Sequence, residues 1–126
     1  MHNILIVDDS DIWRRLTKDI LSKNTYRLFE ADSGEQALEV ARETPFDLVI
    51  MDYRMQRLNG LDTSRCLREI PGCESVPVIL ITSEDFPGDC QETPVQHVDG
   101  YVDKRHLIHD LDDCVKLHLE RDARVA

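Results

Sequence analysis

Five residues with chemically useful side chains each stand at the end of a short apolar run in the sequence: Asp8, Asp9, Asp52, Thr82 and Lys104. The apolar runs are too short for helices and rich in strand-forming residues, so each is typical of a buried strand. Because charged side chains are costly to bury, we expect them where a strand ends and solvent begins. In an open parallel sheet, that carboxyl edge is where binding sites are built.

Gathered at one edge of a sheet, these side chains predict a particular chemistry. Three carboxylates close together repel one another and take up protons unless a cation lies between them. Mg²⁺ fits, because it prefers oxygen ligands and is usually held by one or two carboxylates with waters and phosphate. A lysine ammonium and a threonine hydroxyl nearby suit a group with several anionic oxygens. The set therefore predicts phosphoryl transfer onto or near Asp52.

Each of these residues also has an ordinary structural interpretation. Asp8 and Asp9 could cap the following helix at its positive end, and this could hold together with metal binding. Taken alone, Asp52 is more often a turn residue or cap, Thr82 a strand residue and Lys104 a solvated surface lysine. All of these interpretations holding at once, in this order along the chain, is improbable.

The elements that would position these side chains alternate along the chain. Strands are predicted at 4–7, 26–32, 48–51, 76–81 and 98–103, with helices opening at Ser10, Gly34 and Gly60 and a last helix carrying Leu107, Leu111, Val115 and Leu119. In the first helix, Ile12, Leu16 and Ile20 share one face. Strands that alternate with helices predict a parallel sheet with right-handed crossovers. Between the last two strands, segment 84–97 contains two prolines and a glycine that interrupt any helix.

Length and charge limit the classes of protein. A chain of 126 residues predicts one domain over 1–126. A net charge of -10 speaks against nucleic acid or an anionic membrane as the direct partner. No apolar run approaches the roughly 20 residues that span a bilayer, and no signal peptide precedes the first strand, so we expect a cytoplasmic protein.

In its ordered set of motifs the chain resembles the receiver domains of two-component response regulators, of the kind found in the single-domain chemotaxis regulator. The matching residues are Asp8, Asp9, Asp52, Gly60, Thr82, Tyr101 and Lys104. The resemblance implies a single doubly wound α/β fold of the flavodoxin-like (βα)5 type, with five parallel strands in the order 2-1-3-4-5. It covers almost the whole chain.

The resemblance also implies roles for individual residues. Asp52 would accept a phosphoryl group from a histidine kinase or a histidine phosphotransfer protein, with Mg²⁺ held by Asp8, Asp9, Asp52 and the backbone carbonyl of Arg54. Thr82 and Lys104 would bind the phosphoryl group, and Tyr101 would act with Thr82 as a switch. Such a domain is no enzyme in the usual sense, since it catalyses only its own phosphorylation and dephosphorylation. Arg54 and Glu84, two residues beyond Asp52 and Thr82, would tune the lifetime of the phosphoryl group.

For output, the resemblance implies a surface made of segment 84–97, the fifth strand and the last helix, which would control a downstream protein or a covalently attached output domain. A weak homodimer is compatible with the sequence, which does not determine the oligomeric state. In two places the chain departs from the family, which usually has proline where Gln56 and Arg105 stand. Because a cis bond costs about 3 kcal/mol without proline, we expect the Lys104–Arg105 peptide to be trans.

Two other functions stay open at this point. The chain could be a receiver-like interaction module that works without phosphorylation, which the missing prolines allow and the intact acidic set disfavours. It could also be a phosphohydrolase with an aspartate nucleophile. Such enzymes carry a second aspartate two residues after the nucleophile, and Arg54 occupies that position.

Overall fold

The structure is a computed structural model that describes residues 1–83 and 98–125, with side chains described as far as residue 120. From residue 3 to residue 82, strands and helices alternate as the sequence predicts. In chain order they are β1 Asn3–Val7, α1 Asp11–Leu21, β2 Arg27–Ala31, α2 Gly34–Glu43, β3 Leu48–Asp52, α3 Gly60–Leu67, β4 Val78–Thr82, β5 Gly100–Asp103, a 3-10 turn Lys104–His106 and α4 Leu107–Val125. Segment 84–97, which the sequence analysis predicts as part of an output surface, lies outside the described residues.

The five strands form one sheet in the order β2-β1-β3-β4-β5, and every neighbouring pair is parallel. The predicted fold class and strand order are confirmed. All residues of β3 and β4 are buried, which explains their continuous apolar sequences, because the central strands of a parallel sheet are covered on both faces.

Helices cover both faces of the sheet, and alternate strand residues supply two cores. On one face, Leu5, Val49 and Leu80 pack with residues of α2 and α3. On the other face, Ile6 and Ile50 pack with residues of α1 and α4. The predicted apolar stripe of the last helix, Leu107, Leu111, Val115 and Leu119, is buried there. The helices on both faces therefore shield the sheet from water. Polar side chains are left at its carboxyl edge.

Each of the first three helices begins at a polar residue whose side chain accepts a backbone hydrogen bond. Ser10 Oγ accepts from Trp13 N at 3.4 Å, Ser33 Oγ from Gln36 N at 3.1 Å, and Asn59 Oδ1 from Asp62 N at 2.8 Å. Such caps satisfy amide groups that have no partner within the helix. They fix α1, α2 and α3 directly after the loops that leave the carboxyl edge of the sheet.

The predicted apolar face of α1 is correct only in part. Leu16 and Ile20 are partly buried against the core, but Ile12 is 79% exposed. Ile12 lies in the first turn of the helix, and Trp13, Thr17 and Leu21 are the residues turned toward the protein in its place. The spacing of four correctly predicts the helix, but Ile12 lies outside the buried face of that helix.

The described residues contain no cis peptide bond, so the prediction of a trans Lys104–Arg105 bond is confirmed. In the place of proline, Arg105 donates its backbone N–H to Asp103 Oδ1 at 2.9 Å and opens the 3-10 turn Lys104–His106. In residues 1–83 and 98–125 we find no helix with the length and apolarity that crossing a bilayer requires.

Candidate functional site

Three carboxylates meet at the carboxyl edge of the sheet, where the sequence analysis expects them. Asp8, Asp9 and Asp52 each offer an oxygen atom, and these atoms all lie within 4.8 Å of one another. Asp8 and Asp52 are 3% and 5% exposed, whereas Asp9 is exposed. The cluster is therefore open to solvent on the side of Asp9 and closed on the side of the sheet.

The loop after β1 holds Asp8 from several directions. Asp8 N donates to Ala31 O at 3.1 Å, and Arg14 Nη1 donates to Asp8 O at 2.7 Å. The Asp8 carboxylate itself accepts a hydrogen bond from Ser10 N at 2.9 Å. Asp8 thus helps to order the start of α1 while its carboxylate remains in the acidic cluster, so the two interpretations drawn from the sequence are compatible.

Asp52 is the last residue of β3 and not the first residue after it, which corrects the boundary expected from the apolar run. The sheet continues past it, because Tyr53 N donates to Ile81 O at 2.8 Å. The chain then turns back, and Gly60 N donates to Tyr53 O at 2.8 Å. A Cβ atom at Gly60 would lie 2.7 Å from Asp52 O, so glycine allows this close return. The backbone of Asp52 is therefore fixed on both sides.

Lys104 approaches the acidic cluster from the end of β5. Its Nζ lies 3.4 Å from Asp52 Oδ2, and its side chain is 13% exposed. The same Nζ lies 4.6 Å from the ring centroid of Trp13, on α1. Trp13 was not among the site residues predicted from the sequence; the signal for it is an aromatic side chain in the first helical turn after Asp8 and Asp9, close to the edge where the charged groups meet.

The acidic surroundings change the proton affinity of the two buried carboxyl groups. Burial, and then the neighbouring Asp8 carboxylate, raise the pKa of Asp52 to about 6, against the opposing effect of Lys104. Burial likewise raises the pKa of Asp8, and its hydrogen bond from Ser10 N works in the other direction. The three carboxylates carry more negative charge than their surroundings compensate, so the residues present fit a bound divalent cation.

The remaining predicted site residues lie around this cluster. Thr82 ends β4 and is 1% exposed, one residue beyond Ile81, which is the register partner of Asp52. Tyr101 is partly buried against the core beside α2 and α3. Arg54 is exposed and lines a cleft of about 460 Å³ together with Asp9, Tyr53, Met55, Gln56 and Asn59. The structure brings Arg54 to the open side of the acidic cluster, and Glu84 lies outside the described residues.

The chain is similar to known proteins in sequence and in fold. The family described as the response regulator receiver domain matches residues 4–116. Among curated proteins, the chain is similar to the polar-differentiation response regulator DivK of Brucella ovis, with 26% identity over 117 residues, which is 93% of this chain and 95% of the relative.

Solved structures with this fold include the chemotaxis protein CheY4 of Vibrio cholerae, at 26% identity and a TM-score of 0.78, covering 96% of this chain and 98% of that one. The receiver domain of the sensor histidine kinase PA1611 of Pseudomonas aeruginosa superposes with a TM-score of 0.83 at 24% identity, over 94% of this chain and 98% of that one. That protein was solved with a magnesium ion coordinated in its active site cleft.

Proposed function

The chain belongs to the response regulator receiver domain family, and from this premise we propose that it accepts a phosphoryl group on Asp52 in a magnesium-dependent reaction of a two-component phosphorelay. The observation that carries the proposal is the position of Asp52 between two acidic neighbours and the ammonium of Lys104, 3.4 Å from Asp52 Oδ2. Residues 1–126 would form this one domain. We propose that the protein is cytoplasmic.

In the proposed reaction, a phosphoryl group passes from a histidine nitrogen of the donor protein to a carboxylate oxygen of Asp52. A carboxylate oxygen of Asp52 forms a bond to phosphorus while the bond between phosphorus and the donor's histidine nitrogen breaks, and the nitrogen keeps the electron pair. The ionised carboxylate is the nucleophile, so Asp52, whose pKa is raised to about 6, must be held in its charged form. Lys104 favours that form from one side.

Lys104 and Thr82 are proposed to receive the transferred group. The ammonium of Lys104 can donate to a phosphoryl oxygen as negative charge shifts toward it, which is stabilisation of the kind that phosphoryl transfer requires. Thr82 ends the neighbouring strand, so its hydroxyl lies on the same edge of the sheet as Asp52. Asp52 would carry the phosphoryl group covalently, and Lys104 and Thr82 would donate hydrogen bonds to its oxygens.

Asp8, Asp9 and Asp52 would hold Mg²⁺, with the backbone carbonyl of Arg54 as a further ligand at the open side. Three carboxylates within 4.8 Å, two of them buried and with raised pKa, support this assignment. When bound, the cation offsets the repulsion between the acidic cluster and an incoming phosphate. Arg54 and Glu84 are further proposed to shield the phosphorylated Asp52 from water.

The partners we propose are a histidine kinase or histidine phosphotransfer protein on the input side and a downstream protein or attached output domain on the other. Thr82 and Tyr101 would couple phosphorylation to the downstream partner. Thr82 lies at the site, and Tyr101 on β5 is in register with Leu80, which precedes Thr82 by two residues on β4. A movement of Thr82 toward the phosphoryl group would act on segment 84–97, which begins two residues later.

Treatment with acetyl phosphate and Mg²⁺ tests the proposal. The intact protein should gain the mass of one phosphoryl group, and hydroxylamine should remove it, as expected of an acyl phosphate. A chelator should prevent the gain. A parent protein that stays unmodified, with its fold intact, would favour the phosphorylation-independent interaction module instead. Turnover of p-nitrophenyl phosphate would favour the phosphohydrolase.

A further inference from the structure

The ammonium of Lys104 lies between two groups of different character. Oδ2 of Asp52 is 3.4 Å away and the ring centroid of Trp13 is 4.6 Å away. Trp13 is the only tryptophan of the chain, and its ring packs against the core beside α1 and α4. A cation at this distance from an indole ring is attracted by the negative charge of the ring face.

We propose that Trp13 is a positioning residue that holds the Lys104 ammonium at the phosphoryl-binding side of Asp52. The inference rests on the proposed function, since it concerns how the site receives a phosphoryl group. It adds a residue from α1 to a site that is otherwise built from the ends of strands.

The ion pair by itself defines the position of the ammonium loosely. Charge-assisted hydrogen bonds between ammonium and carboxylate are usually about 2.7–2.9 Å long, and the observed separation is 3.4 Å. A lysine side chain also has a flexible four-carbon stem that allows many rotamers. A second attraction from another direction reduces the volume that the ammonium explores.

Trp13 can supply that attraction because its own position is fixed. Its backbone N–H donates to Ser10 Oγ at 3.4 Å, at the start of α1, and its carbonyl accepts from Thr17 Oγ1 at 2.9 Å. The ring lies against the core while its face meets the ammonium. The indole ring is therefore held in place by a capped helix, and it limits the movement of the ammonium on that side.

The chemistry of an indole suits this place better than a carboxylate would. The site already holds three carboxylates, and a fourth would repel an incoming phosphoryl group and compete with it for the lysine. An aromatic face attracts the ammonium without adding a negative charge. The ammonium keeps hydrogen atoms available for the phosphoryl oxygens.

Two measurements test the inference, one of which needs no phosphoryl group. In the unmodified protein labelled at its four lysines, the ε-methylene protons of Lys104 should resonate upfield of the other three because of the indole ring current. The shift should persist in Trp13→Phe and disappear in Trp13→Leu. Lys104 protons that resonate with those of the other lysines in the unmodified protein would overturn the inference.

The second measurement is the affinity for beryllofluoride, a phosphoryl mimic, with saturating Mg²⁺. Trp13→Leu should weaken binding by about 2- to 30-fold, which is the range of strengths from an exposed to a desolvated cation–π contact. Trp13→Phe should recover most of the affinity. In a Lys104→Met background, Trp13→Leu should have no further effect, because the two residues then no longer interact. Urea unfolding of each variant establishes that it is folded, and Trp13→Met replaces Trp13→Leu if the latter is not.

These outcomes separate the inference from the proposed function. Normal binding of beryllofluoride by the parent, with equal affinity in Trp13→Leu, would overturn the positioning role and leave the proposed function intact. If Trp13→Leu lowers the affinity for beryllofluoride equally in the parent and in the Lys104→Met background, the positioning role would also be overturned. Trp13 would then act through packing and not through Lys104. A parent protein that does not bind beryllofluoride would contradict the proposed function and the inference together.

Discussion

The ammonium of Lys104 lies 3.4 Å from Oδ2 of Asp52, although Asp52 ends β3, Lys104 follows β5, and β4 lies between these two strands. On its other side, Asp52 meets the carboxylates of Asp8 and Asp9. Asp52 thus lies between excess negative charge and one positive charge.

Replacing Asp52 with asparagine should stabilise the metal-free protein at neutral pH. The pKa of Asp52 is raised to about 6 in the folded state, against about 3.9 in an unfolded chain. Between these values the folded state binds more protons than the unfolded state, so the contribution of Asp52 to stability falls as the pH rises toward 6 and is lowest above it. After allowance for screening at the mouth of the site, we expect Asp52→Asn to add about 1–2 kcal/mol at pH 7.

Urea unfolding in a chelator, between pH 4 and 8, measures this difference. The free energy of unfolding of Asp52→Asn should exceed that of the parent only slightly near pH 4. This difference should grow up to about pH 6 and then level off. Asp19→Asn, which removes an exposed carboxylate near the other end of α1, is the control for the loss of a charge outside the acidic cluster. An advantage that shrinks as the pH rises would contradict the account of the acidic cluster.

The acidic cluster should bind Mg²⁺ through Asp9. Asp9→Ala should lower the affinity for Mg²⁺ by at least about 10-fold, because even residues that only support metal ligands often have effects of this size. Asp11→Ala is a matched control, since Asp11 is an exposed carboxylate in the first turn of α1 and pairs with Arg14. Calorimetric titration compares the two. Equal Mg²⁺ affinities in Asp9→Ala and the parent would mean that Asp8 and Asp9 serve only to order the helix.

Arg54 should slow the loss of the phosphoryl group. Its side chain is exposed on the open side of the site, in the cleft that it shares with Asp9, where a water molecule would approach Asp52. Arg54→Ala should therefore speed dephosphorylation several-fold, measured as the decay of phosphorylated protein after the donor is removed. Arg57→Ala is the control, because Arg57 lies in the same loop and faces Glu35 at 3.8 Å. Decay rates that are equal in the parent and in Arg54→Ala would refute this role.

Segment 84–97 should respond to the state of Asp52. The segment begins two residues after Thr82 in the sequence, so a movement of Thr82 would act on it directly. Hydrogen exchange should be fast in this segment and slow down when beryllofluoride and Mg²⁺ are added, and Asp52→Asn should abolish the change. Protection from exchange that is already complete without beryllofluoride would argue against a switch. Protection that stays unchanged while beryllofluoride occupies Asp52 would argue against it as well.

The fold could be predicted because its main features are local in the sequence. The apolar runs of β1, β3 and β4 mark central strands, and their polar end residues mark the carboxyl edge. The boundary at Asp52 was missed by one residue, because Tyr53 N continues the sheet by bonding to Ile81 O. An apolar pattern ends where the side chains change character, whereas a strand ends where its hydrogen bonds end.

The contact between Trp13 and Lys104 could not be predicted from sequence. The two residues are far apart in the chain, and the row Ile12, Leu16 and Ile20 points to a different side of α1 from the one that carries Trp13. In the structure Trp13 packs against the core and Ile12 is exposed. Residues four apart in a helix differ in direction by about 40°, so a spacing of four does not fix which side of the helix is buried.

The most direct test of the central claim is to locate the phosphoryl group. After incubation with acetyl phosphate and Mg²⁺, borohydride reduces an aspartyl phosphate to homoserine, which marks the acceptor permanently. Peptide mass spectrometry should find homoserine at residue 52, at the same yield in Asp19→Asn, and none in Asp52→Asn. Homoserine at another aspartate of the parent, or undiminished labelling of Asp52→Asn, would contradict the account.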